Sequence, residues 1–223
     1  QIFSRHFSSN IPLVFPFEYL SPNETSSHFS LALSSHILYA TSPDPSPNLE
    51  DSRLSRLIHY LQSIGWTGSF TLISSDRVFS NDTSIRLPLL SDHPPNLTDD
   101  PYGFALNHFE HLLVSSLGSP SIIRLTKVLH SFSSPISQWR ISLSNGLRPT
   151  VLPAYYMTPI SLEFASRVIY SHLFDRGDMK SVIVHATGSC LVSCVELYHQ
   201  YLSLALGNTI PASYINPGNT YIS

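Results

Sequence analysis

The sequence predicts an α/β chain of the two-layer α+β kind. Stripes of apolar residues at helical spacing alternate with short β-like runs. Gly, Pro and Asn-Gly punctuate most of the junctions between them. Hydrophobic residues make up 42% of the 223 while charged residues make up 12%, so the chain can bury a large core and is not disordered.

In chain order, residues 1–27 form an extended arm. Phe7, Val14, Phe15, Phe17, Tyr19 and Leu20 are too apolar for a free tail, and Pro12, Pro16 and Pro22 forbid a helix. A β-like stretch ends at Ile37-Leu38-Tyr39, before a Pro-rich loop. Leu54, Leu57, Ile58, Leu61 and Ile64 then recur on one helical face, and Gly65 stops the helix. A strand is predicted over 69–74, a long loop with a further strand at 85–90, and a helix over 104–117. Ser119-Pro120 reads as N-cap and first helical position of a helix to about 131, and 136–143 alternates as a strand before the Asn145-Gly146 turn. The order β-α-β-(β)-α-β over 28–145 fits a ferredoxin-like sandwich.

Beyond the turn, 149–156 is β-like and Thr158-Pro159-Ile160 opens a helix with Leu162, Ala165, Val168, Ile169 and Leu173 on its buried side. A strand over 181–186 leads through Gly188-Ser189 into another helix, and 210–222 reads as a hairpin. This gives β-α-β-α-β-β over 147–223. Cys190 and Cys194, spaced i, i+4 on that last helix, are predicted to be reduced and both buried.

With fifteen acids against twelve bases, and a formal charge of −3, a broad phosphate-binding surface is not expected. No G-x-G-x-x-G, Walker loop, G-x-S-x-G elbow or H-E-x-x-H occurs. His108 and His111 form a solvent-facing pair with no third metal ligand, Asp99 and Asp100 are solvated turn acids, and Ser189 beside His185 lacks an acid partner. Arg124, Lys127, Arg140, Arg148, Arg167 and Arg176 read as scattered surface cations. No catalytic residue, cofactor or metal site is therefore assigned.

The stretch Lys180-Ser-Val-Ile-Val-His-Ala-Thr-Gly-Ser-Cys-Leu-Val-Ser-Cys-Val-Glu-Leu197 resembles the strand–Gly–helix core of the Alba superfamily, archaeal chromatin proteins and small subunits of ribonuclease P. Val182–Val184 matches the strand, His185 the polar position, Gly188 the turn, and Cys190 and Cys194 the small positions. Where that family grips phosphate with Lys or Arg, this chain has Thr187, Ser189 and Ser193. The resemblance thus implies an Alba-like unit at 147–223 that keeps a scaffold with few charges. Its RNA or partner contacts would fall on Arg148, Arg167, Arg176, Lys180 and His185.

The resulting expectation is a non-enzymatic structural subunit of a larger assembly, surrounded by other protein subunits and touching RNA only locally. The Arg/Ser-rich, acid-free start and Arg5-His6-Phe7-Ser8-Ser9 look like a mitochondrial presequence and processing site, and a mitochondrial ribosome is the natural host. A respiratory or membrane-associated complex fits the acidic balance equally, without a direct membrane span. Sequons at Asn23, Asn81 and Asn96 keep a secreted glycoprotein or binding module as the alternative.

Overall fold

The computed structural model describes residues 36–40, 52–79, 100–118, 120–133, 135–151, 155–174 and 182–206. The arm at 1–27, the strand at 85–90, the hairpin at 210–222, and Arg176 and Lys180 lie outside these residues.

The centre is a four-stranded, fully parallel sheet in the order β1-β2-β3-β7. Its strands are β1 (His36–Tyr39), β2 (Ser69–Ser75), β3 (Pro120–Leu125) and β7 (Val182–Ala186). Helix α1 (Arg53–Ser63) connects β1 to β2, and α2 (Pro101–Ser116) connects β2 to β3. Both pack on one sheet face, where Leu54, Leu57, Ile58, Leu61, Phe109 and Leu113 meet Ile37, Phe70, Leu72 and Ile122. Strand alternation sends Thr71, Ile123, Leu125, Val184 and Ala186 to the second face. There α4 (Leu162–Phe174) packs Ala165 and Val168 against Leu125 and Ala186.

Past β3 the chain builds smaller pieces. Strand β4 (Val128–Leu129) pairs parallel with β6 (Ile160–Ser161), and β5 (Tyr156–Met157) pairs antiparallel with β8 (Val192–Ser193). Helices α3 (Ile136–Ser144) and α5 (Cys194–Leu206) join through Trp139, Val151, Met157, Cys194, Tyr198 and Leu202.

The α/β class stands, but the two finer assignments do not. A ferredoxin-like sandwich is antiparallel, whereas each pairing of this sheet is parallel. The Alba-like strand Val182–Val184 is no separate unit's core: β7 completes the sheet beside β3, with Ile122 opposite Ile183 and Arg124 opposite His185. Two element assignments invert. Residues 120–125 are a strand, because Pro120 suits a strand's first residue and the segment lies between β2 and β7, where even Ser121 and Arg124 are buried. Residues 136–144 are a helix, whose Ile136, Trp139 and Leu143 follow a 3.6 period although Trp139, Ile141 and Leu143 also alternate. Asn145-Gly146 is that helix's end. Gly146, at φ +69°, sits in the left-handed region while Leu147 N–H reaches back to the Ser142 carbonyl. Cys190 is exposed rather than buried, because α5 starts only at Cys194 and leaves Cys190 in the preceding loop. Among the described residues no helix is long and apolar enough to cross a membrane.

Candidate functional site

Parallel strands expose their carboxyl ends along one edge, and in open α/β sheets that edge is where ligands bind. Here the edge is polar. Beyond β2, Ser75 caps a 3-10 turn (Asp76–Val78) by accepting from Arg77 N–H. Helix α2 runs antiparallel to the strands, so its start returns to the same edge. Asp100 is its N-cap, accepting from Gly103 N–H at 2.9 Å, and Pro101 occupies the first turn. The same carboxylate accepts from Arg77 Nε at 3.0 Å and pairs with Nη2 at 2.9 Å. Tyr102 follows, partly exposed at 41%.

Burial pushes the Asp76 carboxyl above its ordinary range against the opposing hydrogen bond from Ser75 and the charge of Arg77. Burial also pushes the Tyr102 phenol up; Arg77 opposes this, and Asp100 and Asp76 add to it. Tyr102 therefore stays protonated at neutral pH and can donate. The cluster combines donors (Arg77, Tyr102) with acceptors (Asp76, Asp100), which suits a polyhydroxylated or phosphorylated ligand.

A second group extends the edge. Thr126 Oγ1 donates to the Thr158 carbonyl at 2.6 Å, and Thr187 Oγ1 donates to Thr158 Oγ1 at 2.8 Å. Gly188 N–H donates to the Thr158 carbonyl at 3.1 Å, and a Cβ at Gly188 would run into the Pro159 carbonyl oxygen. Thr158-Pro159 thus belongs to this junction and opens no helix. It is Ser161 Oγ that accepts from Phe164 N–H at the start of α4.

Beneath the edge lies a buried ion pair. Arg124 of β3 and Glu110 of α2 meet at 2.6 Å with side chains only 2% and 4% exposed. Ser74 Oγ donates to Glu110 Oε1 at 2.5 Å, and the guanidinium lies over the Phe79 ring, 5.0 Å from its centroid. Arg124 Nη1 is 3.4 Å from His185 Nε2, and His185 stacks on Phe79. A guanidinium only donates, so His185 Nε2 is the acceptor there. The pair connects α2, β2, β3 and β7, and fixes the strands from which the edge loops depart.

Several sequence assignments change accordingly. Arg124 is no surface cation, and Asp100 is a helix cap and ion-pair partner rather than a solvated turn acid. Asp100-Pro101 was the legible signal for this cap; the helix face at Leu106, Phe109 and Leu113 drew the predicted start to 104 instead. Glu110 has the weakest trace in the sequence, because a lone acid on a helix looks solvated until its partner strand is known. The suggested RNA-contact residues do not converge: Arg148 is exposed after α3, Arg167 pairs with Glu163 on the second face, and His185 faces α2. No group of three or more metal-type ligands occurs among the described residues.

No family model and no curated protein matches the chain by sequence. Its fold, however, is shared with solved enzymes. The Bordetella bronchiseptica enzyme WbmG, in complex with NAD and UDP, superimposes with a TM-score of 0.64 at 13% identity, over 87% of this chain and 64% of that one. WbmH of the same bacterium, in complex with NAD+, gives 0.66 at 17% identity over 82% and 62%. The Bacillus cereus UDP-N-acetylglucosamine 4-epimerase gives 0.63 at 14% identity over 82% and 67%. The chain thus spans somewhat under two thirds of the length of the first two. These neighbours overturn the Alba assignment in favour of a Rossmann-like parallel sheet. They also correct the expectation of a non-enzymatic structural subunit of a ribosomal or respiratory assembly, and the alternative of a secreted glycoprotein or binding module, since the solved structures that share this fold are enzymes, among them a UDP-N-acetylglucosamine 4-epimerase.

The described residues do not fit a dinucleotide pyrophosphate. No two of the nine glycines stand one residue apart, as a G-x-G-x-x-G turn requires. Gly65 and Gly146 close helices with positive φ, Gly188 packs on Pro159, and the Gly103 N–H is taken by Asp100.

Proposed function

We propose that this chain is a nucleotide-sugar-binding portion of an α/β sugar-nucleotide-converting enzyme, with the ligand at the carboxyl edge of the parallel sheet. The observation that carries this is the fold shared over 87% of the chain with an enzyme holding UDP and NAD. The Arg77–Asp100–Tyr102 group supports it. Arg77 would pair with phosphate or with a sugar carboxylate, while Asp76, Asp100 and the protonated Tyr102 phenol would hold sugar hydroxyls. Among the described strands the order runs in one direction only, from β1 to β7.

Calorimetric titration with UDP-glucose, UDP-glucuronic acid, UDP and NAD tests this reading. A UDP-sugar is expected to bind with a Kd of about 1 mM or tighter, and Arg77→Ala to weaken it about tenfold or more. Absence of UDP-sugar binding, or full binding by Arg77→Ala, would overturn it.

A further inference from the structure

The carboxyl-edge cluster carries more acid than base. Arg77 shares it with two carboxyls, and its Nε and Nη2 both go to Asp100 Oδ2, at 3.0 and 2.9 Å. Asp100 is committed a second time, since the same oxygen caps α2 at Gly103 N–H. Asp76 is not held in this way. Its Oδ1 accepts from Ser75 Oγ at 2.8 Å, and it makes no ion pair among the described residues. It stands at the end of β2, directly after the Ser75–Leu125 pairing, and its charge acts on the Tyr102 phenol.

We propose that Asp76 makes this edge selective for nucleotide sugars whose sugar is uncharged, and against those that carry a sugar carboxylate. This selectivity presupposes the nucleotide-sugar reading and narrows it to one sugar class. A ring bearing only hydroxyls can donate to Asp76 and accept from Tyr102, so both groups gain a neutral partner. A carboxylate on that ring cannot donate. It meets Asp76 as a like charge, and the guanidinium that would offset it is already paired with Asp100. The diphosphate differs, because it hangs from the anomeric carbon and lies outside the ring. Arg77 Nη1 makes no bond among the described residues, and the side chain is 41% exposed, so a phosphate oxygen can reach it from solvent.

The other charges near Asp76 are few. Its own turn brings Arg77, and α2 brings Asp100 and Tyr102. Beneath them Glu110 and Arg124 neutralise one another, and His185 stacks on Phe79. From β3 comes Lys127, two residues past the Ser75–Leu125 pairing, which would favour a sugar carboxylate if it reached the ring. Burial raises the Asp76 carboxyl, against the Ser75 hydrogen bond and the charge of Arg77. As pH falls, Asp76 therefore takes up its proton before an exposed carboxylate such as the sugar's does. The preference for an uncharged sugar is present while Asp76 is ionised and fades as it is protonated.

The test is calorimetric titration of the full chain with UDP-glucose and UDP-glucuronic acid, which share the nucleotide and differ in the sugar's carboxylate. At about pH 7.5 UDP-glucose is expected to bind about fivefold or more tighter, and Asp76→Asn to narrow that ratio to about twofold or less. Asparagine keeps an oxygen for the Ser75 hydroxyl and sheds a charge that burial disfavours, so the variant is expected to fold. The parent protein alone supplies a second measurement: its ratio narrows between about pH 7.5 and 5. In Asp76→Asn the ratio stays flat over the same range. Equal affinities in the parent, a parent ratio constant with pH, or a ratio unchanged by Asp76→Asn overturns the proposal and leaves the nucleotide-sugar reading standing. Tighter binding of UDP-glucuronic acid overturns it as well, and points to Lys127 at the ring. Absence of binding by both sugars overturns the reading and the proposal together.

Discussion

The sheet with α1 and α2 and the cluster around Trp139 solve the same problem differently. In the sheet, three parallel ladders set the spacing, and Leu61, Leu113, Phe70 and Ile122 fill it at 0–1% exposure. In the second region the paired strands are two residues long. Trp139 does the filling, edge-on to Tyr198 at 5.0 Å between centroids and donating to the Thr150 carbonyl at 3.2 Å. Backbone order thus carries the first region, and aromatic side chains with single hydrogen bonds carry the second. The polar edge belongs to the first, because ladders hold loop origins still while side-chain clusters tolerate repacking.

The largest way to break this contrast is to remove the charge buried inside the ordered region. Glu110→Gln leaves Arg124 without its counter-charge in a site where both side chains are at most 4% exposed. Breaking a buried pair from one side costs about 3–5 kcal/mol. Urea unfolding followed by circular dichroism should show that loss, and a change below about 1 kcal/mol would mean that the ladders hold the edge without the pair. Removing both partners, as Glu110→Met with Arg124→Met, should recover most of the stability. If the proposed function is right, it should still lower UDP-sugar affinity by releasing Ser74 and Phe79.

The same contrast decides what the sequence makes legible. Helix α1 is readable because its stripe from Leu54 to Leu61 and its stop at Gly65 are local, as is β2 with its uninterrupted Phe70–Ser74 run. Direction of pairing is not local, and nothing in β3 or β7 says parallel until the register is known. Ser119-Pro120 and Thr158-Pro159 both look like helix starts, yet Pro suits a strand's first residue and a tight junction equally well. The edge site was half legible. Asp100-Pro101 and Ser75-Asp76-Arg77 are cap chemistry visible in the sequence, but their meeting depends on two parallel crossovers. The Alba resemblance fails on the same ground: β7 pairs with β3, and after Gly188 the chain forms β8 before α5 begins.

A smaller effect is expected where the two regions join. Gly188 is needed for space rather than for dihedral freedom, because its φ is not positive and the Pro159 carbonyl occupies the place of a Cβ. Gly188→Ala must push Thr158-Pro159 away, loosening the bonds that Thr126 and Gly188 make to the Thr158 carbonyl. Overpacking of this kind costs about 1–3 kcal/mol. A melting temperature equal to that of the parent protein would show that the junction yields freely. It would then be no more rigid than the aromatic cluster beyond it.

The smallest effect lies wholly within the second region, at the start of α5. Ser193 Oγ accepts from Glu196 N–H at 3.1 Å, and the Glu196 carboxylate accepts from Ser193 N–H at 2.7 Å, a reciprocal capping box. The Ser-x-x-Glu spacing was visible in the sequence and marks the helix start better than Gly188-Ser189. The hydrogen bond from Ser193 N–H, and then that from its hydroxyl, hold the Glu196 carboxyl below its ordinary value of 4.5. A carboxyl lowered on folding stabilises the fold above its unfolded pKa, and the contribution is lost as pH falls from about 4.5 through the folded value. Ser193→Ala removes the cap hydroxyl, and should lower stability at neutral pH and flatten part of the acid limb of a stability–pH profile. The backbone N–H remains in that variant, so the limb shrinks without disappearing. Thermal melts of both proteins between about pH 3 and 7 decide the matter. Parallel profiles would show that the hydroxyl contributes nothing to the ionised carboxylate, and that α5 is held by the apolar cluster around Trp139 and Tyr198.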